Sequence, residues 1–270
     1  MEPAVPEFAK PILQDKLSVQ AWLDPRLSRL PGVQPLDVSD WLIRDSAFDA
    51  QMTYRDYLLM HKRSAVFEAL PTAKDASQEL LEVLVDECGF SNNAKDVARP
   101  DGINVPLHGE HSLITAARLT QMDMCILQND GEGYTLDAGA MCFPSSWTLS
   151  QKIGRSLASI HIPVEEYDDR IATSVDRMLS AIRVEQPLWR ANMLIYTDPE
   201  LHQPRLEGIA KLIDSKAPRY VRVERQSFRR LPKTRAVVFG IHTSIVAESS
   251  LSEESHAALA KLKPVLLRIP

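Results

Sequence analysis

The chain is short of cysteine and glycine, and each shortage closes off a class of protein. Its three cysteines, Cys88, Cys125 and Cys142, are an odd number, and none lies in a CxxC spacing. Neither a disulfide framework nor a thiolate zinc site is indicated, and such usage suits a reducing cytoplasm. Ten glycines stand against eighteen prolines, and there is no GxGxxG, no GxxxxGK followed by Ser or Thr, no GxSxG and no HExxH. Phosphate-cradling loops, and with them dinucleotide binding, are therefore not expected. No long basic run interleaves with aromatic residues, the formal net charge is -5 and the isoelectric point is near 5.8. A surface that tracks a phosphate backbone is excluded, so nucleic acid is not an expected partner. No stretch approaches the roughly 20 apolar residues of a membrane span. The opening MEPAVPEFAKP carries acid and proline where a signal peptide needs basic and apolar segments. The expectation is a cytoplasmic protein with no membrane association.

What is present is ordinary for a soluble globular chain: 270 residues, 44% hydrophobic and 25% charged, enough to bury a full core as one large domain or two small ones. Residues 1–36 are rich in proline and read as a segment that wraps over a domain. Ser39 or Asp40 is a candidate cap before Trp41 and Leu42, and Phe48, Met52, Leu58 and Leu59 mark a helix. Thr72 with Asp75 opens another, through Leu80, Leu81 and Leu84 to Gly89. Residues 91–112 read as a polar loop. His108, Glu110 and His111 lie within it, but no helix puts the two histidines on one face and no third ligand stands at zinc spacing, so a solvated loop is the better reading.

The stretch with the most information is Phe143–Val164, FPSSWTLSQKIGRSLASIHIPV. Thr148 and Gln151 have capping-box spacing. Leu149, Ile153, Leu157 and Ile160 then recur at helical spacing, and His161 follows Leu157 by four residues, on the same face. Pro163 is expected to end that helix. Two readings of His161 stay open: a core histidine bonded to a carbonyl, or a side chain aimed at a ligand.

Before this stretch, Met122–Gln128 and Tyr134–Phe143 flank an Asp-Gly step and read as a hairpin. After it come a helix over Asp169–Ile182, a strand over Trp189–Thr197, a surface helix over Leu201–Lys216 and a final hairpin. The two-residue period puts Val221, Val223, Arg225 and Ser227 on one face of its first arm. A guanidinium on an apolar face needs acceptors for five donors. Arg225 therefore meets either a bound ligand or a structural carboxylate, such as one from the N-terminal helices. Glu224 points the other way. The order of elements gives an α+β fold: a PAS-like antiparallel sheet with helices packed on one face, a ligand pocket between the His161 helix and the Arg225 strand, and an N-terminal helical extension. The corresponding divisions are 1–112 for the extension, 113–250 for the core and 251–270 for a tail.

FPSSW at Phe143–Trp147, K-x-G at Lys152 and Gly154, IHIPV at Ile160–Val164, R-x-N at Arg190 and Asn192, and ERQSFRRLP at Glu224–Pro232 together resemble the haem-dependent oxidative N-demethylases over roughly residues 30–246. The resemblance implies a PAS-like subunit that holds haem b and oxidises a small secondary amine such as dimethylamine with O2. Its electrons would come from a separate flavin and iron-sulfur reductase. It also implies that His161 is the axial ligand of the haem iron. Lys152, Arg190 and Asn192 become candidate cofactor contacts, the two cations opposite the propionates, and Arg225 a catalytic candidate on the oxygen and substrate side. The sequence departs from the family pattern at Met122, Met193, His242 and Ser244. Those departures keep two alternatives in view: a haem-based gas or redox sensor, and a non-catalytic binding subunit.

Overall fold

The structure, a computed structural model, describes residues 11–27, 32–87, 91–92, 95–161, 169–209, 214 and 216–266. The first part of the chain is helical, as the apolar spacing predicts. Strand β1 (Gln34–Pro35) leads to a 3-10 turn at Val38–Asp40, capped by Asp37 rather than by Ser39 or Asp40. Helix α1 (Phe48–His61) buries Met52, Leu58 and Leu59, the short α2 (Arg63–Val66) and β2 (Phe67–Ala69) follow, and α3 (Lys74–Glu87) buries Leu80, Leu81 and Leu84. Thr72 does not cap α3, because its hydroxyl donates to Asp137 Oδ2 at 3.0 Å.

Residues 91–112 are more ordered than a polar loop. They form a small antiparallel sheet from β3 (Ser91–Asn92), β4 (Asp96–Ala98) and β5 (Asn104–Pro106), anchored by the fully buried Val97 and Val105. His111 then caps α4 (Ser112–Leu119), its Nδ1 accepting the Leu113 N–H at 3.2 Å. Among the described residues no group of three or more His, Cys, Asp or Glu is arranged to hold a metal ion.

The remaining elements are β6 (Asp123–Asn129), β7 (Tyr134–Ala140), α5 (Leu157–Ile160), α6 (Asp169–Ala181), β8 (Leu188–Tyr196), β9 (Tyr220–Arg230), β10 (Val237–Ala247) and α7 (Glu253–Leu266). The main sheet has seven strands in the order β1-β8-β9-β10-β6-β7-β2, each pair antiparallel. Both expected hairpins are present. In the first, the Asn129 and Asp130 side chains accept the Gly131 and Glu132 N–H groups at 2.8 and 3.0 Å, and Gly131 takes the positive φ of +108° that the turn requires. The surface helix expected over Leu201–Lys216 is not formed at 201–209, which is irregular; residues 210–213 and 215 lie outside the described residues.

Helices cover both faces of the sheet rather than one. Met124, Ile126, Ala138, Ala140 and Val238 pack with α1, α3 and α4, and farther along the same face Met193, Val221 and Val223 lie under Leu17, Trp22 and α7. On the opposite face Cys125, Leu127, Leu136 and Ile241 pack with α5 and α6. The cause lies in the strands: β6 and β10 carry apolar side chains on both faces and are buried nearly end to end, and a strand apolar on both sides must be covered twice. A bulge in β7 assists. The register skips Asp137 between Ala138 and Leu136, which turns Leu136 onto the α6 side while Ala138 stays under α4.

Candidate functional site

The segment from Phe143 to His161 is not one helix. Thr148 makes no side-chain cap, a 3-10 turn covers Leu149–Gln151, and Gly154 adopts φ +75°. Strand pairing overrides the helical spacing: Gly154 N–H donates to Leu136 O at 2.8 Å, and Leu136 N–H to Arg155 O at 3.1 Å. Helix α5 begins only after this excursion, capped by Ser156 Oγ, which accepts the Ser159 N–H at 3.2 Å. The apolar stripe survives without the continuous helix, since Leu149, Ile153, Leu157 and Ile160 all join the α6-side cluster. Pro163, expected to end the helix, lies outside the described residues.

His161 is the residue after α5 and is partly buried. Its Nδ1 lies 2.7 Å from Leu157 O. A carbonyl only accepts, so Nδ1 carries the hydrogen and Nε2 the lone pair. Burial lowers the His161 pKa below 6.5; the Leu157 carbonyl works against this, and the Lys152 and Arg190 cations add to it. The ring is thereby held neutral at neutral pH. Lys152, itself buried, donates to Ile160 O at 3.0 Å and is ion-paired with Glu207.

Strand β8 brings Arg190 and Asn192 to the same face. In the β8–β9 ladder Arg190 stands opposite Gln226 and Asn192 opposite Glu224. The Arg190 Nε is buried without a hydrogen-bond partner. Burial lowers the Arg190 pKa and Glu224 partly restores it. Glu224 is nearly buried, 3.4 Å from Arg222 Nε and 3.3 Å from Gln226 Nε2.

Arg225 is not brought to this group. It pairs with Ala191 on one side and His242 on the other, so it points to the opposite face from Arg190. There its guanidinium lies 5.1 Å from the Trp189 ring and Nη1 donates to Trp41 O at 3.4 Å. Burial lowers its pKa, and Asp40 of the N-terminal region opposes that. Its hydrogen bond goes to a backbone carbonyl of the N-terminal region, Trp41 O. The strand alternation that singles out Arg225 also puts Glu224 and Gln226 on the opposite face, with Arg190 and Asn192; that much was legible in the sequence, but not which face meets His161.

The FPSSW stretch starts at a buried junction, with Phe143 and Pro144 buried and residues 145–147 half-buried. Asp123, fully buried, accepts the Cys142 and Phe143 N–H groups at 2.9 and 2.8 Å and pairs with Arg55 at 2.6 Å. Arg222 Nη2 donates to Phe143 O at 2.5 Å, and Ser145 Oγ meets Tyr196 OH at 2.5 Å. The segment leading to His161 is thus tied to α1, β6, β8 and β9 together.

A family model described as haem-dependent oxidative N-demethylase, alpha subunit-like, matches residues 32–265. The chain belongs to that family. The match runs from just before β1 into α7, so all seven strands of the main sheet fall within this haem-dependent oxidative N-demethylase-like region. Met122, Met193, His242 and Ser244 share one location. Met193, Ser244 and His242 follow the Arg225 face by register, and Met122 reaches Ser227 Oγ on it at 3.8 Å. All four are buried. Among the described residues no helix is long and apolar enough to cross a membrane.

Proposed function

We propose that the protein is the haem-binding subunit of an oxidative N-demethylase acting on a small secondary amine such as dimethylamine. The haem is of b type and His161 is its axial ligand. The observation that carries the reading is the His161 tautomer: Nδ1–H donating to Leu157 O leaves Nε2 with its lone pair, the arrangement by which a backbone carbonyl orients a metal-binding imidazole. The depressed pKa supports it, because a ligand histidine must be neutral.

The other residues on this face fit the same group. Arg190 offers a buried, unpartnered Nε, the donor that a propionate carboxylate would satisfy, and Asn192 stands beside it. No cysteine spacing for covalent attachment is present, in keeping with a b-type haem. When bound, the haem supplies the redox centre at which O2 is activated. The net reaction takes secondary amine, O2, two electrons and two protons to primary amine, formaldehyde and water. The electrons come from a separate reductase carrying flavin and an iron-sulfur centre.

The four departures do not favour the sensor or the non-catalytic reading, since Met122, Met193, His242 and Ser244 are packed on the far face. The test is a visible spectrum of the purified protein with one haem per chain, compared with His161→Ala. An axial-ligation spectrum unchanged by that substitution removes His161 from the role. Formaldehyde released from dimethylamine, given a suitable reductase, separates the enzyme from a sensor.

A further inference from the structure

Glu207 has no part in the haem-binding role proposed for His161, but its carboxylate meets two cations that bond to α5. It lies in the irregular segment after β8, its side chain 34% exposed. Its carboxylate is ion-paired with Lys152, and the same Oε1 is 3.4 Å from Arg155 Nη1. Its own N–H donates to Gln151 Oε1 at 3.0 Å, which ties the 201–209 segment to the turn before α5.

The two cations gathered by Glu207 both end on α5. Lys152 Nζ donates to Ile160 O at 3.0 Å and Arg155 Nη2 to Ser159 O at 2.7 Å. The remaining carbonyls of the helix, Leu157 O and Ala158 O, take the His161 N–H at 3.3 Å each, and Leu157 O also takes Nδ1. A helix of four residues has no interior: all of its carbonyls are terminal and need donors from outside the helix. Such a turn is also too short to hold itself. The direction of the His161 ring therefore depends on where Lys152 and Arg155 are held.

We propose that Glu207 is a positioning residue, which pins Lys152 and Arg155 onto the last carbonyls of α5 and so fixes the turn from which His161 projects. The consequence for haem rests on the ligand role of His161 proposed above; the clamp itself does not. Lys152, which the family resemblance makes a candidate propionate contact, is ion-paired with Glu207 and donates to Ile160 O.

The test uses the full-length protein and two variants, Glu207→Gln and Glu207→Ala. Hydrogen exchange at the Ile160 and His161 amides should rise about tenfold in both as the turn opens locally. The thermal midpoint should hardly move, because the carboxylate is at the surface. On haem titration both variants should bind about tenfold more weakly and show mixed axial ligation, whereas Glu207→Asp should recover part of each effect. Unchanged exchange at both amides in Glu207→Ala overturns the clamp, whatever the haem does. Raised exchange with haem affinity and spectrum identical to the parent overturns the positioning role. If His161→Ala alone leaves the spectrum unaltered, the ligand reading fails, and the exchange result still decides the clamp.

Discussion

Arg190 and Arg225 occupy neighbouring strands one residue out of step, Arg190 opposite Gln226 and Arg225 opposite Ala191, and their side chains leave opposite faces of the same sheet. The two arginines therefore stand in different surroundings. One, half-buried, holds a buried and unpartnered Nε on the His161 side; the other covers Trp189 and bonds to Trp41.

Their substitutions should separate accordingly. Arg225→Leu removes a cation–ring contact and a carbonyl bond and should cost about 1–2 kcal/mol, with haem affinity unchanged. Arg190→Leu removes a half-buried cation whose buried Nε is unmet, so the haem-free protein should melt no lower, but haem should bind roughly tenfold more weakly as a charge-assisted contact is lost. Melting curves and haem titrations of both variants decide it. Equal loss of haem from the two would contradict the two-face assignment.

The Asp123 junction should be the least tolerant position near the site. Its carboxylate answers Arg55 and two backbone N–H groups while fully buried. Removing one partner of such a pair leaves an uncompensated charge, so Asp123→Ala should lose about 3–5 kcal/mol in urea unfolding. A loss below 1 kcal/mol would mean that water or another anion replaces the carboxylate.

Gly139 lies against Leu149 so closely that a Cβ would fall 2.6 Å from Leu149 Cδ1. Gly139→Ala should therefore be destabilising by about 1–3 kcal/mol through overpacking. In combination with Leu149→Ala the two losses should not add, because the clash disappears with the leucine. Additive losses in thermal unfolding of the double variant would show that the turn at 149–151 moves aside freely.

Asp45 sets an acid limit. Burial alone would raise its carboxyl pKa, but the His242 ring, the Gln121 amide and the Ala47 N–H together hold it below 3.8. A carboxylate depressed in the folded state stabilises fully above its unfolded value, and that stability is lost as pH falls through the folded value. The Asp45 contribution should thus persist down to about pH 4 and vanish below it. Asp45→Asn should flatten the acid limb of a stability–pH profile measured between pH 2 and 6; a limb of unchanged slope assigns it to other carboxylates.

The sequence by itself determined the elements that rest on short-range pattern. The Asp-Gly hairpin, the final hairpin with its two-residue period, α1, α3, α6 and the apolar stripe from Leu149 to Ile160 follow from spacing and turn chemistry that act within a dozen residues. The family motifs, spread from FPSSW to ERQSFRRLP, were legible for the same reason. Only the tertiary structure decided which side of the sheet each residue serves. The β7 edge draws Gly154 and Arg155 into bonds with Leu136 and breaks the helix expected after Thr148. Helices settle on both faces because β6 and β10 are apolar on both. Alternation along β9 separates Arg225 from Glu224 in any register, but the packing of α5 on the Phe228 and Ile241 side makes Glu224 the neighbour of the His161 site and sends Arg225 to the N-terminal segment. Glu207 shows the same limit: its bond to Lys152 spans 55 residues, and no local pattern records a contact made by chain folding at that distance.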